Sequence, residues 1–168
     1  AQAKAQGLRQ IAITDHGFSH VFFGLRRKDM PQYSADCRAA AQKYGIDVLV
    51  GIESNIRGLG GKGDLTEKDY ENFDVYLCGS HICIWNEKFA DVFRYGYANF
   101  VAEKWFHAKP SDKRIARNTK AYINAIKRNP IDAVTHLNYI CPSNALEVAK
   151  CAADYGTYIE LNSKKEHL

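Results

Sequence analysis

The chain has 168 residues, of which 46% are hydrophobic, 12% aromatic and 25% charged. That composition belongs to an ordinary globular domain able to bury a core without staples, and it excludes collagen, coiled coil, long disorder and small disulfide scaffolds. The net charge of +4 suits anionic substrates but is too small to demand nucleic acid. No apolar run approaches the ~20 residues of a membrane span, and no signal-peptide pattern opens the chain, so no membrane partner is expected. Cys37, Cys78, Cys83, Cys141 and Cys151 form no CxxC pair and no zinc-ribbon spacing, and most sit beside apolar residues. They read as buried, reduced thiols of a cytoplasmic protein.

Residues 1–7 read as the last turns of a helix with a glycine stop, and the only methionine is Met30, so the chain reads as a fragment. Five short runs of aliphatic and β-branched residues follow, at 10–14, 47–52, 74–79, 132–135 and 157–161. Their near-continuous apolar character predicts strands buried on both faces, as in parallel sheets. Helical patterns lie between them. Tyr33, Cys37, Ala40, Ala41 and Tyr44 share one face, and Gly45 ends that helix. A long helix is predicted over about 89–106, a second from Ser111 to just before Pro130, carrying Ile115, Thr119, Tyr122, Ile123 and Ile126 on one face. Asn144 and Glu147 have capping-box spacing and open a helix that closes at Gly156. The order β-α-β-(α)-β-α-α-β-α-β predicts an α/β fold with parallel strands, as one domain over residues 1–168.

Each predicted strand ends in a residue that can bind metal or move a proton. The first gives Asp15 and His16, the second Glu53, the third His81, the fourth His136, and the fifth Glu160 and Asn162. Parallel α/β sheets and barrels place their active sites at the carboxyl ends of strands. Imidazole with carboxylate is a ligand set for Zn, Mn or Fe. Singly, each such histidine reads as a hydrogen-bonded structural residue, and Glu53 as a loop charge. Their recurrence at one edge points to a site.

The stretches Ile13-Thr14-Asp15-His16-Gly17, Gly51-Ile52-Glu53-Ser54-Asn55, Gly79-Ser80-His81, Thr135-His136-Leu137-Asn138 and Ile159-Glu160-Leu161-Asn162-Ser163 resemble successive motifs of the polymerase and histidinol phosphatase (PHP) superfamily. Order and separation match across nearly the whole chain, and the sequence is most similar to small stand-alone phosphoesterases related to histidinol phosphatase. The resemblance implies a distorted (β/α)7 TIM-like barrel with up to three divalent ions, Zn, Mn or Fe. Glu53 would bridge two metals, His81 and His136 would complete one of those sites, and His16 would bind the third. Asp15, Asn138, Glu160 and Asn162 would support these ligands from behind. The implied reaction is hydrolysis of a small phosphate monoester through metal-activated water. The alternatives are a PHP module accompanying DNA polymerase or exonuclease activity, which would bring in nucleic acid, and a catalytically silent binding domain.

The family's opening HxH and closing Asp-x-His motifs have no counterpart here, so this is expected to be a partial PHP domain lacking roughly one strand at each end. His167 follows Glu160 too soon to stand on a new strand. Arg26, Arg27 and Lys28 follow the first strand and are candidates for holding a substrate phosphate. Gly58-Leu-Gly-Gly-Lys-Gly63 spells GxGxxG, but it begins several residues after its strand and reads as a loop on the rim. Residues 101–130 hold eight Lys/Arg against two acids, which reads as a solvated helix face packed through Ile115 and Ile123. His20 either lines the pocket or lies on the surface, His107 reads as helix-end packing, and Cys78 and Cys83 read as core residues flanking His81.

Overall fold

The computed structural model describes residues 1–106 and 109–162. His107 and His167 therefore lie outside the described residues. Helix α1 (Gln2–Ala5) leads into strand β1 (Gln10–His16), α2 (Met30–Tyr44) into β2 (Asp47–Asn55), and the short α3 (Glu67–Tyr70) into β3 (Val75–Gly79). A helical stretch follows, made of α4 (Phe89–Asp91), a π-helical turn Val92–Tyr97 and α5 (Ala98–Lys104). Next come α6 (Asp112–Arg128), β4 (Ala133–Val134), α7 (Ala145–Tyr155) and β5 (Tyr158–Ile159).

Local chemistry sets the helix ends as the residue types predict. Gly45 and Gly156 stop α2 and α7 in the left-handed region, at φ 58° and 69°. Ser111 Oγ accepts the Arg114 N–H and caps α6. Asn144 accepts the Glu147 N–H while its own amide donates to the Glu147 carboxylate, a side-chain variant of the predicted box. The helix predicted over 89–106 is not uniform. Its middle widens into the π-turn, which contains Gly96 and turns Tyr95 into the core at 2% exposure.

All strand pairs are parallel, and the sheet order is β1-β2-β3-β4-β5. A doubly wound sheet would reverse direction; this one advances by one strand at each crossover. Its two faces differ. Ile52, Tyr76, Cys78 and Val134 lie on one side and pack with Ala121, Tyr122, Ala125 and Ile126 of α6 and Val148, Cys151 and Ala152 of α7. Leu49, Leu77 and Ala133 alternate with them and stay half-buried. The expectation of burial on both faces thus fails, most clearly in β1, where Ile13 is 38% exposed. Among the described residues β1 pairs on one side only, and Ile13, on the face of α2, borders an open cavity between strand and helix.

The α6 core face also differs from the predicted one. Asn118, Ala121, Tyr122, Ala125 and Ile126 are buried, whereas Ile115 and Ile123 are half-buried. Lys113, Lys120, Lys127 and Arg128 are exposed, as expected of a solvated face, but Arg114 is buried. The glycine loop does not line the site. Asn124, Arg128 and Asn129 of α6 donate to the carbonyls of Leu59, Gly60 and Gly61, and Gly61 (φ 74°) sits so close to Ala125 that a Cβ would strike the helix backbone.

Candidate metal centre

Parallel register puts the strand-end residues beside one another. His16 of β1 pairs with Glu53 of β2, so both side chains leave the sheet on the same face. His81 and His136 each lie two residues beyond the end of their strands, β3 and β4. The Glu53 carboxylate is the hub. His136 Nε2 lies 3.1 Å and His81 Nε2 3.4 Å from Oε1, and His16 Nδ1 lies 3.5 Å from Oε2. His81 and His136 meet each other at 3.1 Å through Nε2.

These four side chains, brought together from four strands, are the four expected as metal ligands. A tetrahedral ion with ligand bonds of ~2.0–2.2 Å holds its ligand atoms roughly 3.4 Å apart. The spacing within the cluster matches that figure, and His16, Glu53 and His81 offer ligand atoms within 4.8 Å of one another. The imidazole and carboxylate donors therefore fit a divalent ion in number, type and spacing.

Electrostatics favour the ligand forms of Glu53 and His16. Burial would raise the Glu53 carboxyl, but hydrogen bonds from His136 and His81 outweigh it and hold the group well below the usual carboxylate range. Burial lowers the His16 ring, and the neighbouring His81 lowers it further. His20 is lowered by burial and then by His16 and His81.

The backbone around the cluster is shaped for it. His136 itself has φ 32°, and a Cβ on Gly79 would sit 2.8 Å from its Cε1. Glycine at 79 is thus what lets the fourth-strand histidine fold back toward Glu53. Glu160 Oε2 accepts the His136 backbone N–H, and Asn162 donates to Glu160 Oε1 at 3.2 Å. The structure thus joins both expected supporting residues to the backbone of His136.

Asn138 lies one step away. Its Oδ1 accepts the N–H and hydroxyl of Ser143, both at 2.7 Å, and so closes the loop that carries His136. Asp15 is not brought to the cluster: strand alternation sends it to the face of α2, where its N–H meets the Tyr33 hydroxyl at 3.4 Å. Arg27 is committed elsewhere, with a two-pronged bond to Asp69 at 3.1 and 2.9 Å, a bond to the Asp64 carbonyl at 3.1 Å, and its guanidinium 4.2 Å over Phe18. Arg26 and Lys28 are exposed. Cys78 is a core residue at 0% exposure, but Cys83 is exposed, because its φ of 56° turns the chain out of the strand line.

Two further residues contribute: His20, for which lining the pocket was one of two expected places, and Asp64, which escaped the sequence reading. His20 stacks on His16 with centroids 4.7 Å apart, and its Nδ1 accepts the Phe23 N–H at 3.1 Å, which leaves the proton of the neutral ring on Nε2. Asp64 is buried at 5% exposure and accepts from the Ser19 N–H, the Asn55 N–H and the Asn55 amide. It ties the loop after β1 to the end of β2, and Gly17 leaves room for it. For His20 the local signal was its spacing of four residues from His16. For Asp64 there was none.

The PHP domain family model matches residues 1–164. The chain belongs to the PHP domain family. Among its relatives are proteins named "Probable phosphatase" from Caldanaerobacter subterraneus subsp. tengcongensis (30% identity over 96% of this chain and 53% of that protein) and Shewanella baltica strain OS195 (30%, over 97% and 53%). A third, of the same name, is from Thermoanaerobacter sp. strain X514 (30%, over 96% and 55%). The chain thus spans about half the length of the curated relatives it matches. The PHP assignment accords with the motifs on β1 to β4, whose closing residues are the four that converge here. Among the described residues, no helix is long and apolar enough to cross a membrane.

Proposed function

We propose that this PHP domain carries metal ligands of a phosphoesterase acting on a small phosphate monoester. The observation that carries the reading is the convergence of three imidazoles on one carboxylate at the carboxyl end of a parallel sheet. Glu53, His81 and His136 would hold one divalent ion, and His16 would help to hold another. A divalent ion supplies a water of pKa lowered toward ~7 and takes up charge on a phosphoryl oxygen. Glu160 and Asn162 keep the His136 loop in place while substrate comes and goes. Arg26 and Lys28, exposed beyond β1, attract the phosphate, and Arg27 holds the fold.

The sequential strand order, with helices gathered on the face away from the ligands, supports five strands of a distorted (β/α)7 barrel. Five free cysteines support a reducing, cytoplasmic setting. Elemental analysis of the purified chain tests the reading. Zn, Mn or Fe is expected at about one or more per chain, with most of it lost in Glu53→Gln, where one ligand oxygen becomes an amide. Metal content unchanged by that substitution would overturn the role of Glu53. A phosphate-ester screen without turnover on the metal-loaded chain would overturn the phosphoesterase.

A further inference from the structure

A cavity of about 230 Å³ opens beside the cluster, lined by His16, His20 and His81 on one side. Its other walls are Phe23, Ile82, Phe100, Tyr139 and Ile140, with Ser80 at the base. The walls come from four places in the chain: the loop after β1, the end of β3, helix α5 and the loop after β4. Tyr139 stands edge to face with His136, ring centroids 5.8 Å apart, and Phe23 lies tilted against His20 at 5.4 Å. No carboxylate, lysine or arginine is among the described residues that line it.

We infer that this cavity is an apolar subsite for the leaving group of the ester, and that the substrate is a phosphate monoester of a small, flat, uncharged group such as an aryl ring. The inference rests on the phosphoesterase reading, because a phosphate at the histidines directs its ester oxygen toward these walls. Size limits the occupant. A cavity of ~150 Å³ holds benzene, whereas drug-sized ligands need ~300–1,000 Å³. One ring fits within it. Charge limits it further. An ammonium or imidazolium group would lose its hydration here without a carboxylate to replace it. The subsite therefore selects against aminated phosphate esters, histidinol phosphate included.

Binding and turnover separate this inference from the reading beneath it. Titration calorimetry on the metal-loaded chain compares phenylphosphonate with methylphosphonate, which share a head group and differ by the ring. Phenylphosphonate is expected to bind on the order of tenfold more tightly. Phe100→Ala should erase most of that preference and Phe100→Leu a smaller part of it, with the helical content of each variant checked by circular dichroism. Equal binding of the two phosphonates, no binding of either, or a ring preference untouched in both variants would overturn the subsite. In turnover, phenyl phosphate should exceed histidinol phosphate in kcat/KM by a similar factor, and the reverse order would also overturn it. Ring-dependent phosphonate binding without hydrolysis of any ester would overturn the phosphoesterase and leave the subsite standing.

Discussion

At the scale of single residues, the site depends on one carboxylate being shared and one glycine being small. Glu53 meets three imidazoles, so its loss removes a partner from each at once. Gly79 acts by leaving space. A methyl there would strike the His136 ring and the Thr135 hydroxyl, two side chains carried by adjacent residues just after β4. Gly79→Ala is expected to cost about 1–3 kcal/mol in stability and to weaken metal retention on the order of tenfold or more. Metal content after dialysis against a weak chelator measures the second effect, and wild-type retention would refute the packing role. The residue types at the strand ends were legible in the sequence. The roles of Asp15 and Asp64 were not. Asp15 lies next to His16 in sequence but on the other face of β1, and Asp64 carries no signal until the loop after β1 folds onto it.

At the scale of elements, a buried polar network joins helices to the site. Asn99 of α5 and Asn118 of α6 exchange amide hydrogen bonds at 2.8 and 3.0 Å, and Asn118 also donates to the Pro142 carbonyl at 2.9 Å. The π-turn presents the Tyr95 hydroxyl to Ser80, the residue before His81. A polar network of this kind is costly when only partly satisfied. Asn118→Ala removes the donor to Asn99 Oδ1 and one acceptor of its amide, which keeps the Tyr95 carbonyl, and is expected to destabilise by roughly 2–4 kcal/mol. A lower urea midpoint at unchanged slope is the measurement, and a shift under about 0.5 kcal/mol would show the pair to be dispensable. Helix ends were readable because Gly45, Ser111, Asn144 and Gly156 act on their own neighbours in sequence. The π-turn was not, since its extra residue serves a contact between Tyr95 and a distant strand.

At the scale of the molecule, the clustered histidines make stability depend on acidity. Burial holds His16 and His20 below their ordinary value of 6.5, so the native metal-free chain resists taking up these protons. The unfolded chain binds them first as pH falls, so this share of stability is present above about pH 6.5 and drains away below it. Glu53, also held low, adds a second loss as pH falls below its ordinary 4.5. Thermal melts from pH 8 to pH 4 should therefore show Tm falling on the acid side, with a smaller fall between pH 7 and 5.5 in a His20→Gln variant. An identical fall in that variant would remove His20 from the account. What the sequence determined by itself was the succession of strands and helices, most helix stops and the residue types of the four clustered side chains, all of which follow from chemistry between near neighbours in the chain. The tertiary structure alone decided which face each residue serves, because a parallel register is set by crossovers that pack over long separations. It decided that Arg27 holds Asp69 while Arg26 and Lys28 stay exposed, and that Phe100 and Tyr139 wall a cavity beside the histidines, because those partners lie tens of residues apart and meet only when the helices dock.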